Sequence, residues 1–256
     1  MSFLAGKTAV ITGASRGIGE ATARHLASLD VKVVLAARSH NTINTIAQDI
    51  KAHGGTASAF VCDVSNPTPV ATLIQHAQDT FASVDLLVNN AGLIDPIARI
   101  ADSDPDDWGN IVDVNVKGVY HGLRYAIPVM QAQGAGTIIN ISSGAANAAL
   151  EGWSHYCASK AAVLRLTGVA QKEYGADGIR VVGLSPGTVA TDMQVAIKAS
   201  GINPVSKLDP SAHISPEWVA RTIEWLCKPA ADSFLGTDFS LKTDEGRAAV
   251  GLPPVS

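Results

Sequence analysis

Short runs rich in Val, Ile, Leu and Ala alternate along the chain with longer stretches of helical patterning. The runs at 7–12, 31–37, 56–62, 85–90, 136–142, 178–185 and 236–241 are apolar nearly throughout and predict strands. Strands with one solvated face alternate in polarity, so runs that do not alternate belong in a parallel sheet covered on both faces. The stretches at 17–29, 41–53, 67–81, 106–133, 153–174 and 216–227 predict the covering helices. Strict alternation predicts one α/β domain over residues 1–256, a doubly wound parallel sheet of about seven strands flanked by helices. No repeat or low-complexity linker divides it. The pattern fails only between 192 and 215, where Ser, Pro and Gly accumulate before Pro216 opens the next helix. A segment that long and poorly patterned is expected to be a lid.

Composition changes this picture in few places. Charged residues make up only 16% of the chain, against roughly 25% in an average soluble protein, which hints at surface covered in a homo-oligomer. The net charge is −4 and the basic residues are scattered, so nucleic acid is not an expected partner. No apolar run approaches the roughly 18 residues of a membrane span, and the opening MSFLAGK lacks the basic segment and apolar stretch of a signal peptide. A cytoplasmic protein is the expectation. Cys62, Cys157 and Cys227 are odd in number and far apart, which fits neither a disulfide framework nor a CxxC site. The seven histidines are likewise spread singly, so no metal is expected.

Candidate chemistry begins directly after the first strand, in TGASRGIG. Gly13, Gly17 and Gly19 open a helix there, and glycine lets a backbone approach a pyrophosphate whose charge the helix N-terminus attracts. A tight turn with no ligand would use the same residues. Further motifs follow in order: CDV with Asp63 and Val64 after the third strand, NNAG at 89–92 after the fourth, and PGTVATDM at 186–193 after the sixth. SHYCASK adds Tyr156 and Lys160 four residues apart, neighbours on one helix face. Together these motifs resemble those of the short-chain dehydrogenase/reductase family across nearly the whole chain, which implies a single-domain Rossmann fold and a nicotinamide cofactor.

The resemblance implies a cofactor site built from Gly13, Ser15, Arg16, Gly17, Ile18, Gly19, Arg38, Asp63, Val64, Asn90, Ala91, Gly92, Tyr156, Lys160, Pro186, Gly187, Val189 and Thr191. Asp63 corresponds to the adenine-contacting position, Val189 to the backbone that holds the carboxamide, and Thr191 to a pyrophosphate contact. At the end of the second strand an acidic residue would bind the ribose hydroxyls of NAD, whereas an arginine accommodates the phosphate of NADP. Ala37 holds the acidic position and Arg38 follows it, with Arg16 in the glycine loop. NADP(H) is therefore the expected cofactor, the alternative being two solvated arginines.

A tyrosine near pKa 10 is a poor base at neutral pH, and an adjacent lysine together with the positive nicotinamide ring would favour its phenolate. The pair can then exchange a proton with a carbonyl or alcohol oxygen. Ser143 precedes Tyr156 by thirteen residues, the family's serine spacing, and is expected to polarise the substrate oxygen; Ser142 would be structural, although a shift of one residue exchanges the two roles. Asn115 in DVNVKG resembles the family's asparagine that anchors a water leading to the lysine. The catalytic set is thus Asn115, Ser143, Tyr156 and Lys160.

Other residues near these motifs take blander readings. Trp153 and His155 read as packing or pocket wall, Cys157 as buried filler, and Glu151 as a helix cap. Met193 and His213 fall in the lid segment, where Met193 would meet an apolar substrate. The expected activity is NADPH-dependent reduction of a ketone or aldehyde. An NAD-linked alcohol dehydrogenase and a non-catalytic dinucleotide sensor are the alternatives. PGTVATDMQ is faintly similar to diketone and sepiapterin-type reductases, which would imply a compact aromatic or dicarbonyl substrate. Family members also commonly assemble as tetramers, so a tetramer or dimer is expected.

Overall fold

The computed structural model describes residues 2–254. Strand β1 (Thr8–Thr12) leads to α1 (Gly17–Ala27), β2 (Lys32–Ala37), α2 (His40–Ala52), β3 (Thr56–Val61) and α3 (Pro67–Phe81). The second half runs through β4 (Leu86–Asn89), α4 (Pro105–Val112), α5 (Gly118–Gln133), β5 (Gly136–Ile141), α6 (Ser154–Tyr174) and β6 (Ile179–Ser185). It ends with α7 (Asp192–Ser200), α8 (Pro216–Leu226), β7 (Asp238–Ser240) and α9 (Asp244–Ala249).

All seven strands pair in parallel in the order β3, β2, β1, β4, β5, β6, β7. The chain winds outward from β1 to β3 and then restarts on the other side of β1 at β4. That reversal parts the loops after β1 and β4 and opens a crevice at the carboxyl ends of the strands.

Successive strand residues serve opposite faces, and both faces are dry. Ile11 and Leu35 pack with Leu26, Ile43 and Ile223 from α1, α2 and α8. Val10 and Val34 pack on the other side with Leu73, Leu123 and Val163 from α3, α5 and α6. No helix among the described residues is long and apolar enough to cross a membrane.

Three local differences from the sequence expectation matter. The stretch 106–133 is not one regular helix: Asp113–Lys117 form a π turn between α4 and α5. Asp104 caps α4, its Oδ1 accepting from Asp106 N and Asp107 N at 2.9 and 3.1 Å, with Pro105 at the first turn. The 192–215 segment is not irregular throughout, because it holds the nine-residue α7, which ends at Gly201 with φ 62°. The six-residue α9 was not foreseen either; Thr243 starts it by accepting from Gly246 N.

Candidate active site

The loop after β1 is shaped by contacts that only glycine permits. Gly13 has φ 64°, and a Cβ there would come within 2.8 Å of Ala91 Cα. A Cβ on Gly19 would overlap the carbonyl of Gly13. The loop is sewn to the end of β4: Asn90 Nδ2 donates to Thr12 O at 2.9 Å and to Gly13 O at 3.2 Å. Thr12 Oγ1 in turn accepts from Asn90 N and Ala91 N. Gly17, with φ 55°, then opens α1, whose N-cap residue Arg16 places no side chain on the first-turn amides. Those amides are left for a ligand, and their partial positive charge fits a pyrophosphate.

From this loop a cleft of about 1210 Å³ runs along the strand ends. That exceeds the roughly 300–1,000 Å³ of a site for one small ligand and suits a dinucleotide together with a substrate. Every site residue expected from the sequence lines it except Gly19 and Asn115, which stand behind the wall. Ala37 ends β2 on the same cleft, and Arg38 follows it there, exposed. Arg16 is also exposed and pairs with Asp192 at 3.2 Å. Asp63 Oδ1 accepts from Ser65 N and Oγ, which fixes its carboxylate at the rim.

At the inner end lie Tyr156 and Lys160, both buried on α6. Lys160 Nζ is 5.6 Å from the centre of the Tyr156 ring and donates to Ile141 O at 2.7 Å. Burial lowers the Lys160 ammonium to about 8, against an upward pull from Asp238. Burial likewise pushes the Tyr156 phenol up to about 12, opposed by a hydrogen bond from Ser143. The chain alone therefore does not supply the lowered phenol that the Tyr–Lys spacing suggests: burial outweighs the hydrogen bond from Ser143. Ser143 caps a 3₁₀ turn, accepting from Ala145 N at 3.2 Å. Ser142 turns elsewhere and donates to Asp238 at 2.6 Å.

Asn115 lies in the π turn. Its Nδ2 donates to Leu93 O at 2.9 Å and Ser159 Oγ at 3.1 Å, while its Oδ1 accepts from Leu93 N at 2.8 Å. It is thus a strut between the segment after β4 and α6. A Cβ on Gly92 would be 3.4 Å from Asn115 Oδ1 and 3.8 Å from Lys160 Nζ, so the two groups flank one bare glycine.

Two of the blander readings need correction. Glu151 does not cap α6; its carboxylate binds Arg99 with Nε at 2.7 Å. Cys157 is only partly buried, packed at the edge of an apolar cluster around Ile94, Trp153, Tyr156 and Ile197. Trp153 meets Tyr156 edge to face at 5.6 Å. His155 donates from Nε2 to Ile94 O at 2.6 Å, which orders the wall. Sequence reasoning missed Ile94, Leu150, Ile197, Val205 and Lys242 as cleft residues. They come from five separate loops, turns and helices, and only tertiary structure joins them.

The comparisons agree with this geometry. A short chain dehydrogenase family model matches residues 7–201. A Staphylococcus haemolyticus protein named as an uncharacterized oxidoreductase is 38% identical over 82% of this chain and 88% of its own length. A 3-oxoacyl-[acyl-carrier-protein] reductase of Synechocystis is 36% identical over 94% of this chain and 97% of its own. The crystal structure of a short-chain type dehydrogenase/reductase from Mycobacterium marinum superposes with a TM-score of 0.84 at 31% identity, covering 93% of this chain and 94% of that one. With the family model matching residues 7–201 and relatives above 30% identity covering more than two thirds of its length, the chain belongs to the short-chain dehydrogenase/reductase family, whose members are oxidoreductases acting through nicotinamide dinucleotides.

Proposed function

We propose that the chain reduces a ketone or aldehyde to its alcohol with NADPH, Tyr156 delivering the proton. The observation that carries this reading is the meeting of Tyr156, Lys160 and Ser143 at the inner end of a cleft whose other end is the glycine loop. Bound nicotinamide supplies the hydride. The chain's own residues do the rest. Ser143 and Tyr156 line the same inner end of the cleft and Ser143 acts on the phenol, so both hydroxyls can reach one carbonyl oxygen and polarise it. A phenol pushed up to about 12 keeps its proton through the neutral range, which suits a donor to an oxygen becoming an alkoxide. Lys160, fixed by Ile141 O, lowers the cost of the phenolate left behind. Asn115 holds α6 in register and has a second lone pair on Oδ1 for the water of a proton relay.

Ala37 and Arg38 at the end of β2 favour the phosphate of NADP over the bare ribose of NAD. Leu150, Trp153, Met193 and Ile197 make the substrate end apolar, which suits a compact aromatic or dicarbonyl compound. The 192–215 segment serves as lid. Its base is closed by Ala190 N to Ile214 O at 2.9 Å and Ile214 N to Thr188 O at 3.0 Å. A homo-oligomer, tetramer or dimer, is supported by the low charge content and by Val169, half-exposed on α6.

The test is loss of reduced-nicotinamide absorbance with NADPH and a panel of ketones and aldehydes, for the parent and Tyr156→Phe. The variant keeps the ring against Trp153 and should still bind cofactor, while turnover falls by about a hundredfold to ten-thousandfold. Turnover within a few-fold of the parent would refute the proton-donor role. Cofactor binding by the parent without turnover across the panel would indicate a sensor.

A further inference from the structure

Behind the catalytic lysine is a carboxylate that neither cofactor binding nor substrate contact explains. Asp238 opens β7, the edge strand, and its partner in the β6 register is Gly183. A Cβ on Gly183 would overlap Asp238 Oδ1, so the glycine leaves a gap through which the acid crosses β6. On the far side it meets Ser142, whose Oγ donates to Oδ2 at 2.6 Å. Ser142 directly follows Ile141, whose carbonyl holds Lys160 Nζ at 2.7 Å. Ser142 just past β5, Gly183 on β6 and Asp238 on β7 are therefore matched to bring one negative charge to the strand end where the lysine is tethered.

Asp238 Oδ1 is buried and has no hydrogen-bond partner among the described residues. A carboxylate whose purpose was to pin β7 to β5 would be expected to have both oxygens satisfied, because an unpaired buried polar atom is costly. Here that cost is offset by the Lys160 ammonium, whose attraction favours the charged carboxylate.

We propose that Asp238 is a positioning residue of the catalytic site: reaching through the gap at Gly183 and oriented by Ser142, its carboxylate attracts the Lys160 ammonium and keeps it protonated. The proposal rests on the reductase reading, in which the charged lysine supports the Tyr156 phenolate. Burial opposes ionisation at both ends of the pair, lowering Lys160 and raising Asp238, and their mutual attraction counters it at both. The other charged groups near this end of β7 are Arg165, Lys172 and Glu173 of α6, which share a surface cavity with Asp238, and Lys242, beside Gly144 and Gly187. None of these influences Lys160 as Asp238 does.

The experiment follows Lys160 directly, by NMR titration of protein labelled at lysine Cε, its signal assigned by loss in Lys160→Met. In the near-isosteric Asp238→Asn, Lys160 should titrate lower by about one pH unit, the scale on which a nearby opposite charge acts. The alkaline limb of kcat for carbonyl reduction should move toward acid by the same amount. If Asp238→Asn does not fold, Asp238→Ser, equally neutral and smaller, should give the same shift. Unchanged Lys160 titration in a folded neutral variant would overturn the proposal. A parent that reduces no carbonyl would defeat the reductase reading instead, while the NMR titration still decides the role of Asp238.

Discussion

If the cofactor is NADPH as proposed, Ala37 and Arg38 at the end of β2 and Arg16 in the glycine loop set the preference, and magnitudes say how strongly. Arg16 is held by Asp192, but both side chains are 71% exposed, and such a pair is worth about 0–1 kcal/mol. A charge-assisted bond to a phosphate is worth about 1.5–3 kcal/mol, so Arg16 would gain by exchanging partners for the proposed NADP phosphate. Arg24, also on the cleft, is engaged by Glu20 and Asp49 and is not counted. One net contact from Arg16 or Arg38 implies roughly tenfold to hundredfold preference for NADPH in kcat/KM. Ala37→Asp with Arg38→Leu should erase or reverse it, by repelling the phosphate and binding the NAD ribose. The check is the ratio of specificity constants for one ketone, and a ratio near one in the parent, or one unmoved in the double variant, would show the arginines to be surface residues. Neighbouring residues also mark the limit of reading at this scale. The sequence spacing leaves Ser142 and Ser143 one residue from exchanging roles, and only the structure sends one to Asp238 and the other toward Tyr156. Adjacent positions at a strand end face opposite ways, so a one-residue register error reverses the assignment.

Among the elements, those whose periodicity coincides with their burial were legible in the sequence. The strands beneath the cleft were foreseen because both faces are dry. The π turn at Asp113–Lys117 was not, since one widened turn barely alters an apolar pattern that continues through α5. It nevertheless places Asn115 between Leu93 and Ser159. The helix α7 was hidden for a different reason: nine residues flanked by Gly and Pro are too few for a window to register. The glycine loop was legible as a motif, whereas its packing was not, because neither Asn90 nor Ala91 is near it in sequence. That packing gives a sharp test. Gly19→Ala sets a Cβ against Gly13 O, a backbone atom sewn to β4 through Asn90. Such overpacking costs about 1–3 kcal/mol, and relief by shifting the loop misaligns the amides for pyrophosphate. Expected are a lower urea midpoint and at least about tenfold weaker NADPH binding by fluorescence titration, taking 1.36 kcal/mol per decade. Both quantities unchanged would mean that the loop is not packed this way.

Over the whole molecule, a seven-stranded sheet with two dry faces carries a buried thiol on each. Cys62 belongs to the layer of α3, α5 and α6, and Cys227 to the layer of α1, α2 and α8. Burial pushes both thiols from 9.0 up to about 12. A folded-state pKa raised above the unfolded one gives stability that is complete below pH 9 and is lost as pH rises toward 12, because only the unfolded chain then releases its protons. Lys160 acts with the opposite sign. Its ammonium is lowered from 10.5 to about 8, so between those values the folded chain releases a proton first and gains stability. Two groups against one leave a net loss from these three between pH 9 and 10.5. Each thiol should account for about 1–2 kcal/mol of the fall between pH 8 and 10.5. The measurement is urea unfolding at those two pH values under reducing conditions, for the parent, Cys62→Ala, Cys227→Ala and the double variant. Whatever each substitution costs in packing at pH 8, the loss on going to pH 10.5 should shrink by about the amount assigned to its thiol. With both thiols gone, the Lys160 contribution raises stability over this range, less the part that the raised Tyr156 phenol removes above pH 10. Exposed lysines and tyrosines titrate alike in parent and variants, so they cancel in the comparison. An equal pH dependence in all four proteins would mean that neither thiol is buried in solution, and that the two faces of the sheet are wetter than their packing implies.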